Sequence, residues 1–100
     1  MSWIKPAALD RARGHVGRIA LRLASAGVAS STLAQLRNDL SATFPVNPKT
    51  GWLVIPSDQA TALQSKAAEL ETVLRNAGAL HLGDYDLPQL RYLLSEEVVG

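Results

Sequence analysis

The chain contains no cysteine. That excludes a disulfide framework, a thiolate metal site and a cysteine nucleophile. It has only two histidines, so a zinc site would have to be built from these and carboxylates. Aromatic residues make up 5% of the sequence and methionine occurs once. No apolar run approaches the ~18 residues of a membrane span, and no apolar stretch of about 7–15 residues of the secretory type follows Met1. A cytoplasmic protein that does not touch a membrane is the expectation. There is no glycine-rich phosphate loop, nucleophile elbow or dinucleotide fingerprint. The sequence therefore points away from an enzyme, and it implies no cofactor and no metal.

What the sequence does have is helix. Its 100 residues are 47% hydrophobic, which fits one small folded domain rather than a disordered chain. The apolar set is dominated by 15 alanines and 16 leucines. Alanines let helices approach closely but each buries little area. Charge is divided unevenly. Residues 1–50 carry seven cations against two acids, and residues 51–100 carry three cations against seven acids, so a +5 half is joined to a −4 half.

Four helices are legible. Leu9, Ala12, Val16, Ile19 and Leu23 follow a 3-4 spacing after Pro6, which predicts a first helix over 6–25 with Gly27 as its stop. Ser30 or Ser31 caps a second helix over 31–43, ended by Pro45. Ser57 or Asp58 caps a third, whose stripe runs from Ala60 through Leu63, Ala67, Leu70 and Leu74 to a stop at Gly78. Asp86-Leu87-Pro88-Gln89 reads as a capped start for the fourth, with Asp86 as the cap and Gln89 completing a capping-box variant.

Trp52-Leu53-Val54-Ile55, after the Asn47–Gly51 turn signal, predicts a buried strand with Trp52 in the core. The best pairing candidate for it is Ala79–Leu82, and Phe44–Val46 is a weaker hairpin arm because of Pro45. Trp3 is expected to be partly exposed. The fold class is mainly α, or a small α+β: one compact four-helix domain over 1–100 with a minimal two-stranded β element.

The first helix has three faces at ~100° per residue. Opposite the apolar stripe's flank, Arg11, His15, Arg18 and Arg22 form a basic ridge with no acid among them. Such a ridge can track an acidic surface, or it can be a solvated face or pair within the chain. On the far side lie Gly14, Gly17 and Leu21. Each interior glycine costs a helix about 1 kcal/mol relative to alanine, so two of them imply close packing, against the third or fourth helix or against a partner chain. His81-Leu82-Gly83-Asp84-Tyr85-Asp86 is the one cluster resembling a ligand set, and a turn and a cap account for it.

Arg22 to Leu36 resembles the helix-turn-helix motif of bacterial and phage repressors: Gly27-Val28 matches the turn, and Leu33 and Leu36 match the buried positions of the second helix. That resemblance implies DNA binding, with Ser30, Ser31, Thr32 and Gln35 at base edges and Arg37 beside them. Three functions follow in order of expectation. The first is a non-catalytic protein-binding module (inhibitor, adaptor or assembly factor) that engages an acidic surface through Arg11, His15, Arg18, Arg22, Gly14, Gly17 and Leu21. The second is a helix-turn-helix regulator bound to nucleic acid. The third is a homo-oligomeric structural subunit, in which the basic half of one chain meets the acidic half of another.

Overall fold

The computed structural model describes all 100 residues. The elements in chain order are β1 (Ser2–Ile4), α1 (Pro6–Ser25), α2 (Ser31–Leu40), β2 (Leu53–Ile55), α3 (Ser57–Asn76), a 3₁₀ turn (Leu80–Gly83) and α4 (Asp86–Glu96). The fold is a mainly helical four-helix domain with one small antiparallel sheet. Each helix packs on two neighbours in the cyclic order α1–α2–α3–α4. The apolar stripes meet at the centre, where Ile19, Leu36, Leu70, Leu74 and Leu90 are wholly buried. Ala8, Ala12, Ala60 and Ala67 are buried too, and their small side chains let the helices close on that core.

Two helix ends explain the sharpness of the helical boundaries. Gly27 (φ 71°) and Gly78 (φ 67°) adopt the left-handed conformation just past α1 and α3. In each case the next amide but one closes back across the end: Val28 N donates to Leu23 O at 2.9 Å, and Ala79 N to Leu74 O at 2.8 Å. Gly27 N and Gly78 N donate to Ala24 O and Arg75 O at 3.1 Å. These are paired Schellman closures, which satisfy the orphan carbonyls and bring Val28 over Leu23.

The starts are less uniform. Ser30 Oγ accepts from Leu33 N at 3.2 Å and caps α2 as expected. Neither Ser57 nor Asp58 caps α3: Pro56 holds the cap position without a side-chain bond, and both residues lie inside the first turn, where Asp58 favours the helix dipole instead. Asp86 does not cap α4 either. It is the first helical residue, Tyr85 precedes it as the cap, and the Asp86 carboxylate turns inward.

Helix α2 ends at Leu40, three residues short of expectation, although Phe44 continues its apolar spacing and is buried. Arg13 of α1 closes that end: its Nε donates to Leu40 O at 2.6 Å and its Nη2 to Ala42 O at 3.0 Å, so a guanidinium satisfies carbonyls that have no partner within the helix. Arg13→Ala removes two charge-assisted bonds at a half-exposed site. It should cost about 1–2 kcal/mol, read as a lower urea midpoint at unchanged slope.

The sheet corrects the pairing expectation. β2 pairs with β1 in antiparallel register (Ser2 with Ile55, Trp3 with Val54, Ile4 with Leu53), not with Ala79–Leu82. Leu80–Gly83 instead forms the 3₁₀ turn and packs on α1, α3 and α4. The hairpin arm survives only as a single bridge between Val46 and Leu53, and Val99 flanks the other edge through two bonds to Trp3. Because β1 and β2 lie at the margin of the helical core, Trp52 is half-buried rather than central. Lys5 Nζ sits over its ring at 5.3 Å. Trp3 is half-buried as well. No helix is long and apolar enough to cross a membrane.

Candidate functional site

The basic ridge of α1 faces α4, and there the acidic half of the chain meets it. Asp86 is 3% exposed and receives two donors on one oxygen: His15 Nδ1 at 2.8 Å and Arg18 Nε at 2.9 Å. Arg22 reaches Asp84 Oδ1 at 3.4 Å and the His81 carbonyl at 3.3 Å. Three of the four ridge residues are thus paired within the chain, and Arg11 alone is exposed with no carboxylate partner. Asp84 and Asp86 are the acids of the second half that pair with cations of the first, so the divided charge of the sequence is internally matched only along this ridge.

Burial of the Asp86 carboxylate works against its ionisation. Hydrogen bonds from His15 and Arg18, with the Arg18 charge, outweigh that and hold it below its ordinary value. An ionised carboxylate only accepts. His15 Nδ1 at 2.8 Å must therefore carry a proton and donate it. Arg18 Nη2, 2.9 Å from the same nitrogen, is then a neighbour rather than a donor to it, because Nδ1 has no lone pair to offer. The pairing fixes the ring, which also lies 6.1 Å from the Tyr85 ring at a 59° tilt.

His15 is 8% exposed, and its Nε2 has no partner in the chain. No buried side-chain polar atom is left unsatisfied, so Nε2 opens to solvent. It opens on a groove between α1 and the start of α4, bordered by Arg11, Arg18, Tyr85, Gln89 and Tyr92. Tyr85 is 63% and Tyr92 55% exposed. Large exposed aromatics beside cations are the residue types that anchor protein interfaces.

Of the two neighbours expected for the glycine face, the fold does not supply the internal one. A Cβ on Gly17 would meet nothing within 4 Å, and one on Gly14 would meet only Arg18 Nη1, at 3.8 Å. Leu21 is 70% exposed. Neither α3 nor α4 packs there, so the fold does not require either glycine. Gly17→Ala should consequently stabilise the isolated protein by about 0.5–1 kcal/mol through helix propensity, seen as a thermal midpoint higher by a few degrees. A lower midpoint would mean that the face is packed in solution.

The residues of the helix-turn-helix reading come out differently. Ser30 is spent on the α2 cap. Thr32 is buried, with its hydroxyl 3.4 Å from Glu69 Oε1, and Gln35 Oε1 accepts from Lys66 Nζ at 2.5 Å. Two of the would-be base-reading side chains therefore face α3. Ser31 and Arg37 remain exposed. The His81–Asp86 segment does not gather a ligand set: Asp84 faces Arg22 and Asp86 faces His15. No three His, Cys, Asp or Glu side chains come together anywhere.

Sequence reasoning missed Asp86, Tyr85, Gln89 and Tyr92 as parts of the site. Asp86 was legible only as a helix cap, and the tyrosines gave no signal beyond being aromatic. No protein-family model, curated protein or solved structure matches this chain.

Proposed function

We propose that the chain is a non-catalytic binding module that takes an acidic polypeptide segment of a partner protein along the outer face of α1 and the adjoining edge of α4. The observation that supports this reading most is the open glycine face. Two interior glycines cost α1 roughly 2 kcal/mol in helix propensity, and nothing in the folded chain approaches either closely enough to need them. A backbone from outside can. Leu21 is exposed on that face, Tyr85 and Tyr92 line the adjoining groove with Gly14, and Arg11 supplies a cation with no partner at home.

The DNA-binding alternative is supported less well, because Thr32 and Gln35 are engaged with α3. Poly-L-glutamate is a suitable probe of the favoured reading. Arg11→Glu places a repelling charge on the face without breaking any internal pair, and should weaken poly-L-glutamate binding about tenfold in low salt. Affinity equal to wild type, measured by titration calorimetry, would remove Arg11 and the ridge from the interface.

A further inference from the structure

We propose that the groove between α1 and α4 seats a single carboxylate, held by His15 Nε2 in its protonated form together with Arg11 and the outer edge of Arg18. This rests on the reading of the α1 face as a partner surface and names the group that the partner inserts. A nine-tenths-buried imidazole with one nitrogen fixed and the other unpartnered is a built feature. Asp86 holds Nδ1, so the ring cannot turn, and Nε2 is aimed at the groove. Arg18 is similarly placed: its Nε is committed to Asp86, while Nη1 lies over Gly14, 3.8 Å from where a Cβ would sit.

Charge selects the ligand. The charged groups around His15 are Asp10, Arg11 and Arg18 on the groove wall and Asp86 buried behind the ring at Nδ1, with the phenols of Tyr85 and Tyr92 neutral. Two cations and two carboxylates balance, and protonated His15 adds one positive charge. One carboxylate neutralises that charge. A dianion would leave an excess negative charge beside Asp10 and Asp86, which is unfavourable at these separations. The seat therefore takes a monoanion, and its occupation is linked to uptake of a proton by His15.

The test uses the whole protein and the imidazole nitrogens as reporters, with exposed His81 as the internal control. His15 and His81 are titrated by two-bond ¹H–¹⁵N NMR in chloride, acetate and sulfate at equal ionic strength. Acetate near twice its dissociation constant should raise the His15 midpoint by about 0.5 unit and leave His81 where it was. Sulfate should raise it less. Arg11→Gln, at an exposed position without internal partners, should abolish the acetate shift while the short His15–Asp86 contact persists. Equal shifts at both histidines, no shift at His15, or a sulfate shift as large as that of acetate would each overturn the proposal. If poly-L-glutamate still maps to the α1 face when acetate leaves His15 unmoved, the carboxylate seat fails and the partner surface stands.

Discussion

Asp86→Ala should destabilise the domain by about 2–4 kcal/mol, a fall in thermal midpoint of roughly 10–25 °C for a chain of this size. Removing one member of a buried ion pair leaves the other charge uncompensated, at about 3–5 kcal/mol. The lower figure applies here because the Arg18 side chain is more than half exposed and can turn to water. His15 cannot, being buried against the same carboxylate. The pH dependence has a definite sign. The native carboxylate holds its proton less tightly than the unfolded one. Its contribution is thus complete above the ordinary carboxylate range and is lost as pH falls through the lower native value. Acid titration of the unfolding free energy should show this loss in wild type and a flatter profile in Asp86→Asn. Parallel profiles would mean that the Asp86 pair does not control acid stability.

Ile19→Ala should be comparably severe, at about 3–4 kcal/mol. Ile19 is wholly buried on α1, and its Cδ1 lies 4.0 Å from where a Cβ on Gly83 would sit, beside Leu74 and Leu87. It thus joins four elements: α1, α3, the 3₁₀ turn and α4. Truncation removes transfer energy and leaves a cavity that the helices cannot close without moving the 3₁₀ turn. Denaturant unfolding measures the loss. A cost under about 1 kcal/mol would show that this part of the core repacks freely.

The parts of the fold that were legible in the sequence are those governed by short-range chemistry. Pro6 at the start, a regular apolar stripe and Gly27 beyond it define α1, and its bounds match the expected ones. Gly78 does the same for the end of α3. Helix propensity and Schellman closure act within a few residues, so a local pattern suffices. The sheet was misassigned because pairing is a long-range choice. Ser2–Ile4 is three residues long, carries no alternation and meets Leu53–Ile55 only after two helices have intervened.

The candidate site divides in the same way. The ridge and the glycine face of α1 follow from residue spacing. What completes them does not. Asp86 lies 71 positions from His15, and an Asp ahead of a Leu-Pro helix start has a sufficient local explanation as a cap. Only the tertiary fold shows it turned inward onto His15 and Arg18. Whether the glycines were covered by another helix was equally a tertiary question, and the fold leaves them bare.

Amide chemical-shift mapping of the full chain with poly-L-glutamate tests the partner surface most directly. The account predicts shifts confined to the outer face of α1 and the start of α4, centred on Gly14, Gly17, Leu21 and Tyr85, and weakening with salt. Duplex DNA at the same charge concentration should perturb that face less. Shifts centred instead on Ser30–Arg37, or stronger binding of DNA there than of poly-L-glutamate at α1, would contradict it.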